Sequence, residues 1–239
     1  MYGWRARVGF IAPSRGDTFN YEFYKIVPEG VVLIMSGMTF YSLSPDNFKL
    51  ANENMERYAL DLAKVGVDYM YLGGSPLFTH IGLGSDKEAI ARIEKLTGIP
   101  CTTSITAEVD SLRACNIKKV VVVTPHTDAV NAKLKDFLIA SGFDVVNIKG
   151  LQISVNAEIA KVTEAQVYKF AKQTFLETPG ADGMFIHCPR WPTIYNIARL
   201  EADFKAPVVT TTTAYIYVTF DRLKIGGPIK GFGKLLELL

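Results

Sequence analysis

The stretch Ala181-Asp-Gly-Met-Phe-Ile-His-Cys-Pro-Arg190 reads as a buried strand, Met184–Ile186, that ends on a thiol and leads into a helix expected over Trp191–Phe204. Ligands of open α/β sheets sit beyond the carboxyl ends of parallel strands, which is where this reading puts Cys188. A helix N-terminus close behind it would lower the thiol pKa and draw anions. His187 precedes the thiol and Arg190 follows it. The plainer alternative is a small buried hydrophobe, because free cysteine is among the most buried residue types.

Outward from that stretch, apolar and β-branched runs recur at Val8–Pro13, Val31–Met35, Tyr69–Leu72, Val120–Thr124, Val145–Ile148 and Val208–Thr212. Amphipathic segments lie between them. Pro45–Val65 is framed by Ser44 as N-cap and Gly66 as C-cap, Asp86–Leu96 stops before Gly98, Asp128–Ala140 before Gly142, and Ala157–Thr178 before Pro179-Gly180. Near-continuous apolar strands separated by helices predict an α/β fold with parallel sheets covered on both faces. An internal echo is visible. Val67-Asp-Tyr-Met-Tyr-Leu-Gly-Gly74 lies over Ala181–Cys188 without gaps, and Val8–Pro13 resembles Val120–Pro125. Two related halves would each present a strand end to a shared cleft, with Gly74 in one facing Cys188 in the other.

The chain has 239 residues, 49% hydrophobic and 21% charged, enough for one large domain or two small ones with a substantial core. A formal net charge of +2, with Lys and Arg scattered, leaves no footprint for nucleic acid or a membrane surface. No run approaches 18 apolar residues, and the first residues lack the pattern of a signal peptide. Cys101, Cys115 and Cys188 are an odd, sparse set, pointing to a reducing compartment and a cytoplasmic protein rather than a disulfide framework.

No Gly-x-Gly-x-x-Gly or phosphate-binding loop follows a strand, and Gly82-Leu-Gly84 and Gly231-Phe-Gly233 read as turns. His80, His126 and His187 match no zinc spacing, so no metal is expected. His126 stands out because it follows a strand at Thr124-Pro125 and opens a helix, although a capping histidine would look the same. Ser14, Ser75 and Thr210–Thr213 also end strands. Their hydroxyls suit carboxylate binding, with helix capping the plainer role. No Gly-x-Ser-x-Gly elbow supports a serine hydrolase.

Gly98-Ile-Pro-Cys-Thr-Thr-Ser-Ile-Thr-Ala107, Leu112-Arg-Ala114, Lys118–Asn131, Ala181–Cys188, Pro207-Val-Val209 and Gly231–Leu235 together resemble the aspartate/glutamate racemase superfamily, in its arylmalonate decarboxylase and maleate isomerase branch. The resemblance spans nearly the whole chain and is weakest over the first 45 residues. It implies two pseudo-symmetric Rossmann-like halves, residues 1–104 with 214–239 and residues 105–213, with the active site in the cleft between them. It further implies chemistry without a metal or organic cofactor, on a small carboxylate or dicarboxylate. Racemases and maleate isomerases of the superfamily carry a cysteine in each half. Here the first position is Gly74, and one thiol opposite glycine is the decarboxylase pattern.

That pattern predicts decarboxylation of a substituted malonate or related diacid through an enediolate, protonated on one face by Cys188. Ser75 and His126 would stabilise the enediolate, Arg190 would hold a carboxylate, and Ser14 and Thr210 would be lesser anion contacts. The chain also departs from the decarboxylases. Their Gly-Thr-Ser loop is here Gly74-Ser75-Pro76, their tyrosine is His126, and the two glycines after the cysteine are Pro189 and Arg190. Both prolines remove N–H donors, whereas Arg190 adds a guanidinium. Two other readings follow from the same residues: a maleate or Asp/Glu isomerase, and a carboxylate-binding protein without turnover. A homo-oligomer is compatible with all three.

Overall fold

The computed structural model describes residues 2–13, 17–38 and 45–239. In chain order the elements are β1 Ala6–Ala12, α1 Asp17–Ile26, β2 Val31–Gly37, α2 Pro45–Lys64, β3 Tyr69–Leu72, α3 Ser75–Ile81, α4 Ser85–Thr97 and β4 Cys101–Thr103. There follow α5 Ser104–Ala114, β5 Lys119–Thr124, α6 Asp128–Ala140, β6 Asp144–Gly150, α7 Asn156–Ile159 and α8 Glu164–Leu176. The chain closes with β7 Gly183–Ile186, α9 Ile194–Phe204, β8 Val208–Thr210, α10 Thr211–Leu223 and a 3-10 turn, Lys234–Leu238.

The strands form two parallel four-stranded sheets, ordered β2-β1-β3-β4 and β6-β5-β7-β8. The second order repeats the first, strand for strand, so the sequence echo is a structural one. Equivalent residues do equivalent work. Asp68 accepts the backbone N–H of Arg7 at 2.8 Å, and Asp182 accepts those of Lys118 and Lys119 at 3.0 Å. Thr103 and Thr210, ending β4 and β8, each cap the helix that follows, accepting from the N–H of Thr106 and Thr213.

Helices cover both faces of each sheet, which is why the central strands are apolar throughout. Val120, Val121, Val122 and Val123 of β5 are wholly buried, each contributing roughly 1.5–3 kcal/mol relative to exposure. An aromatic cluster of Phe10, Phe19, Tyr71 and Tyr215 packs below the strand ends, Phe10 edge-on to Phe19 at 4.8 Å and Tyr71 tilted against Tyr215 at 4.3 Å. The Tyr71 hydroxyl donates to the carbonyl of Tyr215 at 3.0 Å, tying the first sheet to α10.

Three expectations about the elements are corrected. The segment Ala157–Thr178 is two helices, because Thr163 and Gln166 form a capping box that starts α8 afresh. The last strand stops at Thr210, since its hydroxyl turns to cap α10. The helix after Cys188 begins at Ile194, because Pro192 bars Trp191 from helical geometry. The short strand Cys101–Thr103 and helices Asp17–Ile26 and Ser75–Ile81 had no counterpart in the pattern. Among the described residues, no helix is long and apolar enough to cross a membrane.

Candidate active site

Every strand of the two inner pairs delivers a residue to one cavity of about 70 Å³ at the carboxyl ends of both sheets. By the same measure a single water needs only about 10–15 Å³. β1 supplies Phe10 and Ala12, β3 leads to Gly74-Ser75-Pro76, and β4 to Ser104. From the second sheet come His126 after β5, His187 to Arg190 after β7, and Tyr215 of α10. Phe19, Ile153 and Ile159 make an apolar wall, and Ser154 and Asn156 add polar groups.

Gly74 and Cys188 thus line the same cavity from equivalent positions. Both carry a positive φ, 99° at Gly74 and 147° at Cys188. Glycine adopts such a backbone freely, whereas a cysteine there is strained. The Cys188 N–H donates to Thr211 Oγ1 at 3.2 Å, and its carbonyl accepts from Trp191 N–H. Its side chain is buried, 7% exposed, and burial pushes the thiol pKa up to about 12. The backbone N–H and charge of Arg190 pull the other way, and the Glu108 carboxylate adds to the rise. This overturns the expectation of a thiol acidified by a helix terminus. The N-terminus of α9 is instead occupied by the buried carboxylate of Glu22. That carboxylate accepts from the N–H of Thr193 and Ile194 and, at 2.8 Å, from Thr212 Oγ1.

Ser75 begins α3, but its hydroxyl donates to Glu108 Oε2 at 3.0 Å rather than into the cavity. His126 is buried, and desolvation together with nearby His187 drives its pKa down to about 3, so it is a neutral imidazole. Its Nδ1 has no hydrogen-bond partner among the described residues, and its ring meets that of His187 at 5.5 Å between centroids. Pro189 and Arg190 line the cavity as expected from their place beside the thiol. Thr210 does not; its hydroxyl is held in the cap of α10. Ser14 lies outside the described residues.

The sequence reading missed Glu108. Its carboxylate is fully buried and accepts from Ser75 at 3.0 Å and from Thr211 Oγ1 at 2.6 Å. It also lies 3.3 Å from His187 Nδ1. The clue was an acid inside Ser104-Ile-Thr-Ala-Glu-Val109, where the other residues are small or apolar. Tyr215 and the aromatic wall were also missed, because nothing local marks a core residue as cavity-facing.

A family model described as arylmalonate decarboxylase matches residues 8–236. The chain belongs to the arylmalonate decarboxylase family. The matched span contains every cavity residue named above. The arylmalonate decarboxylase of Bordetella bronchiseptica is 26% identical over 96% of this chain and 96% of its own. The maleate isomerase of Geobacillus stearothermophilus is 22% identical over 97% of each. A mutant maleate cis-trans isomerase of Nocardia farcinica, solved with a covalently bound succinylcysteine intermediate, shares the fold with a TM-score of 0.91. It is 22% identical, over 97% of this chain and 98% of its own. Arylmalonate decarboxylase family membership therefore places the chain among enzymes whose relatives include both decarboxylases and isomerases.

Proposed function

We propose that this protein decarboxylates a small substituted malonate or related dicarboxylate, with Cys188 as the sole proton donor to carbon. The observation that carries the proposal is that Cys188 and Gly74, from equivalent positions in the repeat, line one cavity, the first with a thiol and the second with no side chain. Loss of CO2 leaves the electron pair of the broken C–C bond on the α carbon, delocalised into the remaining carboxylate as an enediolate. The Cys188 S–H then gives its proton to that carbon, and the thiolate takes one from solvent. The substrate's own carboxylate serves as the electron sink, so the step calls for no metal or organic cofactor.

The chemistry of the thiol supports this reading over nucleophilic addition. A thiol whose pKa burial holds up near 12 is protonated at neutral pH and ready to donate. Addition of Cys188 to maleate, the isomerase reading, needs the thiolate. Binding of maleate-like diacids by the isomerase relatives still makes maleate a required test compound. His126 would offer one N–H and Arg190 a guanidinium to the carboxylates. We place the two halves at residues 1–104 with 214–239 and residues 105–213, so that the thiol and the glycine come from different halves.

Proton NMR in D2O with a panel of substituted malonates, maleate and amino acids, run on wild type and Cys188→Ala, tests the proposal. Deuterated monoacid formed by wild type alone is the expected result. Fumarate from maleate would replace the decarboxylase reading with the isomerase one. Binding without any product would leave a carboxylate-binding protein.

A further inference from the structure

Among the described cavity-lining residues Arg190 is the one permanent cation, and several of the neutral donors beside it are spent or missing. Pro76 and Pro189 have no N–H. The Ser75 hydroxyl is committed to Glu108, and the Cys188 N–H to Thr211. His126 is held neutral by burial, so it offers a single N–H. An enediolate formed from a dianion concentrates negative charge on two oxygens in a space lined by Phe10, Phe19 and Ile159, and that charge needs a preorganised cationic or dipolar partner.

Glu108 points to where a second such partner is. Its carboxylate is wholly buried, and three groups reach it: two hydroxyls, and His187 Nδ1 at 3.3 Å. Of these three, His187 alone can carry a positive charge. An ionised carboxylate buried on hydroxyls alone is costly, and pairing with an imidazolium relieves it. His187 also lines the cavity, so it bridges a fixed anion on one side and the ligand space on the other.

We propose that His187, whose Nδ1 lies 3.3 Å from Glu108, is a cationic donor to the carboxylate that the substrate retains, and that binding a dicarboxylate recruits a proton to it. The inference rests on the small-dicarboxylate reading above and gives that site a second cation beside Arg190. Glu108 is a positioning residue: its charge would stabilise the imidazolium without touching the ligand. Neutral His187 with its proton on Nδ1 would turn a lone pair to the ligand carboxylate, so the second proton is what makes it a donor. The groups facing it are Glu108 from α5, the neutral His126 ring after β5, the neighbouring Cys188 thiol, Arg190 on the same loop and Tyr215 on α10. Of these, Arg190 opposes the protonation, whereas Glu108 and a bound diacid favour it.

Succinate, which can be neither decarboxylated through an enediolate nor isomerised, separates this inference from the proposed reaction. Its binding is measured calorimetrically at pH 8.5 in two buffers of different ionisation enthalpy, where an ordinary imidazole is neutral. Wild type should take up close to one proton per succinate. His187→Gln should take up none and bind at least tenfold more weakly. Glu108→Gln, which keeps an acceptor for one of Ser75 and Thr211 and offers an N–H to the other, should shift the uptake to lower pH by a unit or more. This second variant decides the matter if the first does not fold. Equal proton uptake in wild type and His187→Gln, or none in wild type, overturns the proposal. Wild type that binds succinate with uptake yet turns over no malonate would sink the decarboxylase reading and leave the His187–Glu108 pair standing.

Discussion

The left-handed backbone at Cys188 has a cost that can be measured by removing the thiol in two ways. Cys188→Ala and Cys188→Gly both lose the sulfur, so their difference isolates what a Cβ costs at φ 147°. A non-glycine residue in a sparsely populated backbone region costs of order 1–3 kcal/mol. Against this, glycine adds about 0.4–1 kcal/mol of unfolded-state entropy. Losing a methyl that partly faces a cavity forgoes at most about 0.8 kcal/mol of burial. At the middle of these ranges the balance favours glycine by roughly 0.5–1 kcal/mol, a rise in Tm on the order of 1–4 °C for a chain of this size. The same pair of substitutions at Cys101, buried in β4 and with no left-handed backbone, gives the reference. There glycine should be worse than alanine by roughly 0.5–1 kcal/mol. Urea denaturation of the four variants therefore reads a swing of about 1–2 kcal/mol between the two sites. If Cys188→Ala proves as stable as Cys188→Gly, or more so, the strain argument is wrong, whatever the variants do to activity.

Three other outcomes follow from the packing. In Glu22→Ala, the N–H groups of Thr193 and Ile194 and the Thr212 hydroxyl lose a buried acceptor. A loss of about 3 kcal/mol or more is expected by chemical denaturation, with Glu22→Gln much milder. A Cβ on Gly150 would sit 2.0 Å from the His126 carbonyl oxygen and 2.5 Å from Asn131 Nδ2. Gly150→Ala should therefore cost roughly 1–3 kcal/mol and weaken succinate binding, since the backbone that carries His126 must move. His126 titrates near 3 when folded against 6.5 when unfolded. Its contribution is thus complete above pH 6.5 and lost as pH falls toward 3, on the order of a few kcal/mol in all. Stability measured across that window should fall more steeply for wild type than for His126→Asn.

Much of this fold was legible in the sequence because parallel strands buried on both faces are written as unbroken apolar runs. Tyr69–Leu72 and Val120–Thr124 stand out for that reason, and the echo between Val67–Gly74 and Ala181–Cys188 exposes the repeat. What failed was local and brief. Three residues, Cys101–Thr103, are too few to show a period, and the threonines from Thr210 to Thr213 look like a strand although two of them form a capping box. The thiol was legible by position, and its environment was not. Its burial, the 3.3 Å approach of Glu108 to His187 and the diversion of the Ser75 hydroxyl depend on residues about 30 to 100 positions apart meeting at a sheet end. Thr210 shows the converse case, in which a hydroxyl at a strand end is used up by its own helix.

The matched backbones at positions 74 and 188 also give sequence drift in this architecture a direction. Glycine suits the left-handed turn that ends the third strand of either sheet, whereas a thiol there survives only while chemistry demands it. Exchanging a reactive residue for glycine at such a turn relieves backbone strain, whereas the reverse exchange must draw on stability held elsewhere in the molecule. Descent from two thiols to one is therefore the thermodynamically easy path. A lineage that regained the second would first need compensating substitutions far from the cleft.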